Sequence, residues 1–324
     1  MKPKIFVSRM IPQPALDIVM EACEAEVNTA DAHLPQAELI ARVQGKEGLL
    51  CLLTDDINEA VLTAGSELKA VANIAVGFNN IDVQAANHRK ILVTNTPGVL
   101  DDTTADFTWC LLLASARKLV EGDRFTRAGH YSGWGIMLLC GEDVSGKTLG
   151  ICGLGRIGRG VAKRARGFEM QILYTDAVRA PVEVERQVGA RFVDKETLFR
   201  EADFVTLHIP LLPETQHYVS GKELRTMKRT AHLINASRGP VVDEAALVQA
   251  LRERWIAGAG LDVYEHEPQL TPGLAELENV TLAPHIASAS VETRTKMAVM
   301  AATDLVDALQ GRRPPHLVNP EVLA

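Results

Sequence analysis

Short apolar runs alternate with helical patterns of mixed polarity along almost the whole chain, the rhythm of a parallel sheet covered by helices. In the first hundred residues, strands are predicted near 4–8, 48–53, 70–74 and 91–93, with helical segments near 12–22, 36–43, 58–64 and 82–87 between them. The stretch Thr94-Asn95-Thr96-Pro97-Gly98 is turn-rich and reads as a hinge. A long helix should then run from about 102 to 120, opened by Asp and Thr residues that suit an N-cap. Residues 122–146 hold six glycines and read as one long loop, with apolar Trp134, Met137 and Leu138 inside it. Trp134 and Met137 could line a substrate mouth, plug the loop or meet another subunit. Strands resume near 148–152, 171–176, 204–208, 232–235, 259–262 and 280–283, and a final helix spans about 290–310. No internal repeat is visible.

Several of these strand ends carry chemistry. Gly153-Leu154-Gly155-Arg156-Ile157-Gly158 follows the strand at 148–152 and leads into a helix, with Asp176 ending the next strand 18 residues beyond Gly158. That is the strand–turn–helix setting a dinucleotide fingerprint requires. Gly153 allows the tight turn, Gly155 lets the backbone approach a pyrophosphate, and Gly158 lets helix and sheet pack closely. Asp176 suits the ribose hydroxyls of NAD(H), whereas a 2′-phosphate about 4 Å away would meet a repulsion on the order of 4 kcal/mol. Arg179 lies three residues on and leaves NADP(H) open.

Further along, Arg238, Glu267 and His285 each follow a short apolar run, within Asn235-Ala236-Ser237-Arg238-Gly239, residues 262–268 and Pro284-His285-Ile286. Strand ends are where catalytic groups from distant sequence converge in an open α/β sheet. Arginine forks onto a carboxylate, histidine moves a proton, and a glutamate tunes the histidine. Taken singly, each residue has a bland reading as a solvated or turn residue. Their order downstream of the glycine motif points to a dehydrogenase of 2-hydroxy acids. Histidines 33, 88, 130, 217, 232, 266 and 316 lack such a setting and read as structural.

Composition narrows the class further. The 324 residues suffice for two domains, and 47% apolar with 23% charged residues is ordinary for a globular protein. The net charge of −7, without a basic run, speaks against nucleic acid as a partner. Five cysteines without CxxC spacing point away from disulfides and metal and toward a cytoplasmic setting. No apolar run approaches the roughly 18–20 residues that cross a bilayer.

The chain resembles the D-2-hydroxyacid dehydrogenases, closest to their glyoxylate/hydroxypyruvate reductase branch. The resemblance rests on residues 75–82, Asn95-Thr96-Pro97-Gly98, the glycine motif at 153–158, residues 208–215, 233–239 and 260–268, and Pro284-His285-Ile286. The separations of 29 residues from Arg238 to Glu267 and 18 from Glu267 to His285 also suit that branch. It implies two doubly wound parallel-sheet α/β domains with a cleft between them: a Rossmann cofactor domain (99–287) inserted into a flavodoxin-like substrate domain (1–98 and 288–324). It further implies that Arg238 binds the substrate carboxylate, His285 gives the proton, and Glu267 bonds the other imidazole nitrogen. The amides of Val76 and Gly77 would complete the carboxylate cradle. Thr104, His208, Pro210, Thr215, Ala236, Ser237, Asp262 and Ser288 match positions near the cofactor. The expected substrate is a small 2-keto acid and the expected assembly a homodimer. The same three groups also fit 2-ketogluconate reductases, phosphite dehydrogenases and dinucleotide-sensing corepressors.

Overall fold

Strands β1 (Lys4–Val7), β2 (Glu24–Val27), β3 (Gly48–Cys51), β4 (Ala70–Asn73) and β5 (Leu92–Thr94) form one parallel sheet in the order β2-β1-β3-β4-β5. Central β3 and β4 are buried at every position, which is why they read as unbroken apolar runs. Edge strand β2 was not foreseen. Its sequence, Glu-Ala-Glu-Val, is half exposed and shows no apolar run.

These residues belong to a computed structural model that describes residues 1–323 and divides into two compact units. The first joins residues 1–100 to the segment from Ala289 onward, and the second is Asp101–Ser288. The helix Val291–Leu309 returns to the first sheet and lies so close to Gly48 that a Cβ there would come within 2.9 Å of Leu309 and 3.1 Å of Leu305. Beyond it, the Asn319 side chain accepts from the Val93 N–H at 2.8 Å and donates to the Ile91 carbonyl at 2.9 Å, closing the β5 edge.

The second unit holds seven parallel strands: β6 (Thr148–Cys152), β7 (Gln171–Thr175), β8 (Ala190–Phe192), β9 (Phe204–Leu207), β10 (His232–Asn235), β11 (Gly258–Leu261) and β12 (Val280–Leu282), in the order β12-β11-β10-β9-β6-β7-β8. The chain steps outward from β6 to β8, returns to the far side of β6, and steps outward again to β12. Neighbours β6 and β9 therefore flank the topological switch point, where open sheets bind ligands. Both sheets are the parallel α/β class expected. Strand β8 escaped prediction because its sequence, Ala-Arg-Phe, has a charged, exposed centre and shows no apolar run.

One expectation needs correcting. The long helix does not continue to 120: it spans Asp101–Ala116, and a second helix, Leu119–Arg127, follows. Lys118 breaks the path with a left-handed φ of 52°. Gly122 thus lies inside a helix rather than in the loop, which begins later and leaves Trp134, Ile136 and Met137 largely exposed. The five cysteines are free, and no helix among the described residues is long and apolar enough to cross a membrane.

Candidate active site

Arg238 follows β10, Glu267 follows β11 and His285 follows β12, so the three groups leave adjacent strands at the same edge of the second sheet. Asn235, buried at the end of β10, shapes the first turn. Its Oδ1 accepts from the Ser237 N–H at 3.0 Å and hydroxyl at 2.8 Å, while its Nδ2 donates to the Arg238 carbonyl at 3.0 Å. This is an Asx turn, and it carries Ala236, Ser237 and Arg238 out of the sheet. Gly239 comes next because nothing else fits. A Cβ there would lie 1.8 Å from the Tyr264 carbonyl oxygen. The close backbone approach brings Arg238 near the loop bearing Glu267, and each charge acts on the other.

Glu267 uses both carboxylate oxygens: Oε1 accepts from the Tyr264 N–H at 2.9 Å, and Oε2 meets His285 Nδ1 at 2.9 Å. A carboxylate only accepts, so Nδ1 carries the proton of the neutral ring and Nε2 becomes the atom that gains or loses one. Burial pushes the Glu267 carboxyl up, but the His285 bond and charge, the Tyr264 N–H and the Arg238 charge together bring it below its ordinary value. Burial lowers the Arg238 guanidinium while Glu267 pulls it back. Guanidinium nonetheless stays charged at working pH.

His285 itself sits at a left-handed φ of 56°. Such a conformation in a residue with a side chain persists only where its surroundings over-determine it. Here the surroundings are Asp262, fully buried, whose carboxylate accepts from the N–H groups of Ile286 and Ala287, both at 2.7 Å, and whose carbonyl accepts from the His285 N–H at 2.9 Å. Burial raises the Asp262 carboxyl against those two N–H groups.

The other half of the sheet is built from backbone. Gly153 has a φ of 92°, and a Cβ on it would meet the His208 carbonyl oxygen at 2.6 Å; one on Gly158 would meet the Gly153 carbonyl at 2.1 Å. In front of Gly155 the space is open, and no side chain caps the helix Arg156–Ala165 that begins there. An uncapped, ten-residue helix start behind an open glycine suits a pyrophosphate. Leu154 is buried, Ile157 packs on the same core, and Arg156 pairs with Asp101 at 3.6 Å. Asp176, just past β7, accepts from the Leu154 N–H at 2.8 Å and so stands against the glycine turn.

His208 Nε2 is buried and finds no hydrogen-bond partner among the described residues, and burial holds the ring's pKa down at about 3, so it is neutral. An orphaned polar atom beside the glycine turn fits a ligand that supplies the missing partner. The Thr215 hydroxyl holds the next loop, donating to the Pro210 carbonyl at 2.7 Å and accepting from the Leu212 N–H at 2.8 Å. Thr104 is buried in the helix Asp101–Ala116, and Ser288 ends the unit three residues past His285. Val76 and Gly77 lie in the first unit, after β4, where the Val76 carbonyl accepts from Asn95 at 2.7 Å and the Gly77 carbonyl from Asn73 at 3.0 Å.

Comparison with known proteins agrees with this architecture. Residues 109–287 match the model for the D-isomer specific 2-hydroxyacid dehydrogenase NAD binding domain. The chain belongs to the D-isomer specific 2-hydroxyacid dehydrogenase family. A glyoxylate reductase of Korarchaeum cryptofilum is 51% identical over 326 residues, covering 100% of this chain and 98% of that protein. A Thermus thermophilus protein of known structure superposes with a TM-score of 0.91 at 44% identity, over 97% of this chain and 99% of its own. An NADPH-dependent glyoxylate/hydroxypyruvate reductase of Sinorhizobium meliloti, solved with NADP and malonate, gives 0.86 at 32% identity over 98% and 97%.

Within this 2-hydroxyacid dehydrogenase, sequence reasoning overlooked the residues that hold the site in shape. Asn235 carried a signal, since an Asn side chain can bond the backbone two residues on as an Asx turn. Glu244 carried none. It is buried at the start of the helix Glu244–Arg252, yet it accepts from the Glu265 N–H at 2.9 Å and the Thr271 hydroxyl at 2.6 Å, tying down both ends of the loop that bears Glu267.

Proposed function

We propose that this protein reduces small 2-keto acids, glyoxylate and hydroxypyruvate foremost, to D-2-hydroxy acids with NADH. The observation that carries the reading is the 2.9 Å bond between His285 Nδ1 and Glu267 Oε2 at the strand end next to that of Arg238. Arg238 holds the substrate carboxylate and polarises the neighbouring carbonyl through its fork of N–H donors. His285 Nε2 gives its proton to the carbonyl oxygen as charge develops there, and takes it back in the reverse direction. Glu267 keeps the ring in the productive tautomer, with Nε2 facing the reaction. When bound, the nicotinamide supplies the hydride. The family resemblance also gives the amides of Val76 and Gly77 to the carboxylate.

Cofactor preference rests on Asp176, whose charge suits ribose hydroxyls and repels a 2′-phosphate. Exposed Trp134, Ile136 and Met137 favour a homodimer, since monomers rarely leave such apolar groups in water. Five free cysteines fit a reducing cytoplasm. The test is an initial-rate panel of NADH oxidation with glyoxylate, hydroxypyruvate, pyruvate, 2-ketogluconate and phenylpyruvate, and with phosphite plus NAD in the opposite direction. Glyoxylate and hydroxypyruvate should give the highest kcat/KM. Inactivity toward every 2-keto acid with NADH binding retained would refute the reading.

A further inference from the structure

Between Asp176 and the helix Val182–Val188 the chain runs Ala177-Val178-Arg179-Ala180-Pro181, and Arg179 is the one basic residue in it. A cation three residues past the ribose carboxylate is well placed in sequence to welcome a 2′-phosphate. The structure gives it another partner. Arg179 Nε bonds Glu185 Oε1 at 2.8 Å and Nη2 bonds Oε2 at 3.0 Å, a two-point fork, and its guanidinium carbon lies 5.8 Å from the Phe192 ring centre. Glu185 is itself 8% exposed and fixed from the other side by the hydroxyl of buried Tyr174 at 2.6 Å. That hydroxyl oxygen also accepts from the Ala180 N–H at 3.0 Å, so strand, loop and helix are tied at one point.

We propose that Glu185 sets cofactor choice from a distance, by holding Arg179 away from the 2′ position. The inference rests on the reading that Asp176 meets the ribose, and extends it. The Arg179 side chain is 59% exposed, so nothing steric stops it from rotating. What holds it is charge. Releasing it strands a nearly buried carboxylate with the Tyr174 hydroxyl in place of a full ion pair, and an unpaired buried charge is strongly unfavourable. The carboxyl is accordingly kept low, at about 2, by Arg179 first and Tyr174 second, so it stays ionised at any working pH. A 2′-phosphate must therefore overcome two carboxylates: Asp176 by direct repulsion, and Glu185 by competition for the only local cation in the loop.

Affinities of the full-length protein for NADH and NADPH, measured by fluorescence titration at low salt without substrate, test this apart from turnover. Glu185→Gln keeps an acceptor for Tyr174 but gives up the ion pair. It should tighten NADPH on the order of fivefold and leave NADH within about twofold. Adding Arg179→Met to that variant should abolish the gain. Equal weakening of both cofactors by Glu185→Gln, or a gain that survives loss of Arg179, would overturn the proposal. Should Glu185→Gln fold poorly, Arg179→Met in the parent decides: a clamped arginine predicts less than about twofold change in NADPH affinity, whereas several-fold weakening shows that Arg179 already serves the phosphate. An Asp176→Ala change that moved neither affinity would sink the ribose reading and this extension with it, whereas failure at Glu185 alone leaves that reading standing.

Discussion

Around β6 and β7 the second sheet offers a ligand its backbone, while around β10, β11 and β12 it offers side chains. The first region consists of glycines forced by contacts of 2.1–2.6 Å, an uncapped helix start and one carboxylate. The second gathers an arginine, a glutamate and a histidine, held by hydrogen bonds that include the backbone amide of Tyr264 and the carboxylate of Asp262. A backbone site tolerates change in exposed side chains but no added Cβ. A side-chain site fails whenever a charge moves, even if the fold is intact. The two regions meet in one exception: Gly239, a backbone device within the side-chain region.

Gly239→Ala is therefore expected to have the largest effect. Its Cβ would fall on the Tyr264 carbonyl, and no flexible side chain can yield. Activity should be lost and stability should fall by more than about 4 kcal/mol, read by chemical denaturation. A well-folded, active variant would show that the two backbones need not touch. Next comes His285→Ala, which should lower kcat by about 10²–10⁴, the range of general acid catalysis, while NADH affinity changes by less than about twofold. If NADH binding fell in parallel, the two regions would not be separable. Arg238→Lys should reduce kcat/KM by about 10²-fold, mainly through KM, because an ammonium cannot fork. Esters of the same keto acids should be poor substrates for the parent, and equal rates with them would remove Arg238 from carboxylate binding.

The smallest effect concerns stability. Glu267 has a carboxyl lowered in the fold from its ordinary 4.5, so its charge stabilises the folded state fully above that pH and progressively less as pH falls through the lowered value. The difference in Tm between parent and Glu267→Gln should thus shrink as pH falls below about 4.5. A difference independent of pH would mean that the shape of the side chain matters and its charge does not.

What could be read in the sequence follows the same division. Glycine spacing announces a backbone site because the steric demand is local, and buried strands such as β3 and β10 announce themselves as apolar runs. Edge strand β2, with two glutamates in four residues, does not. Neither does the helix break at Lys118, a residue with no intrinsic preference for positive φ. The strand ends bearing Arg238, Glu267 and His285 were visible as motifs. The support from Glu244 acts across 21 and 27 residues, distances that no local pattern encodes. Arg179, a cation three residues past Asp176 in sequence, is engaged by a carboxylate six residues further on, which no local pattern announces.

The return of the last helix and of Asn319 to the first sheet has a consequence for synthesis. On the ribosome, residues 1–100 emerge first but lack the helix that covers Gly48 and the asparagine that closes β5. Residues 101–288 are contiguous and can close as soon as β12 has left the exit tunnel. Folding of the first unit instead waits on contacts spanning more than two hundred residues, such as Val93 with Asn319, whose loop closure is slow. The part of the protein made first is thus the part finished last.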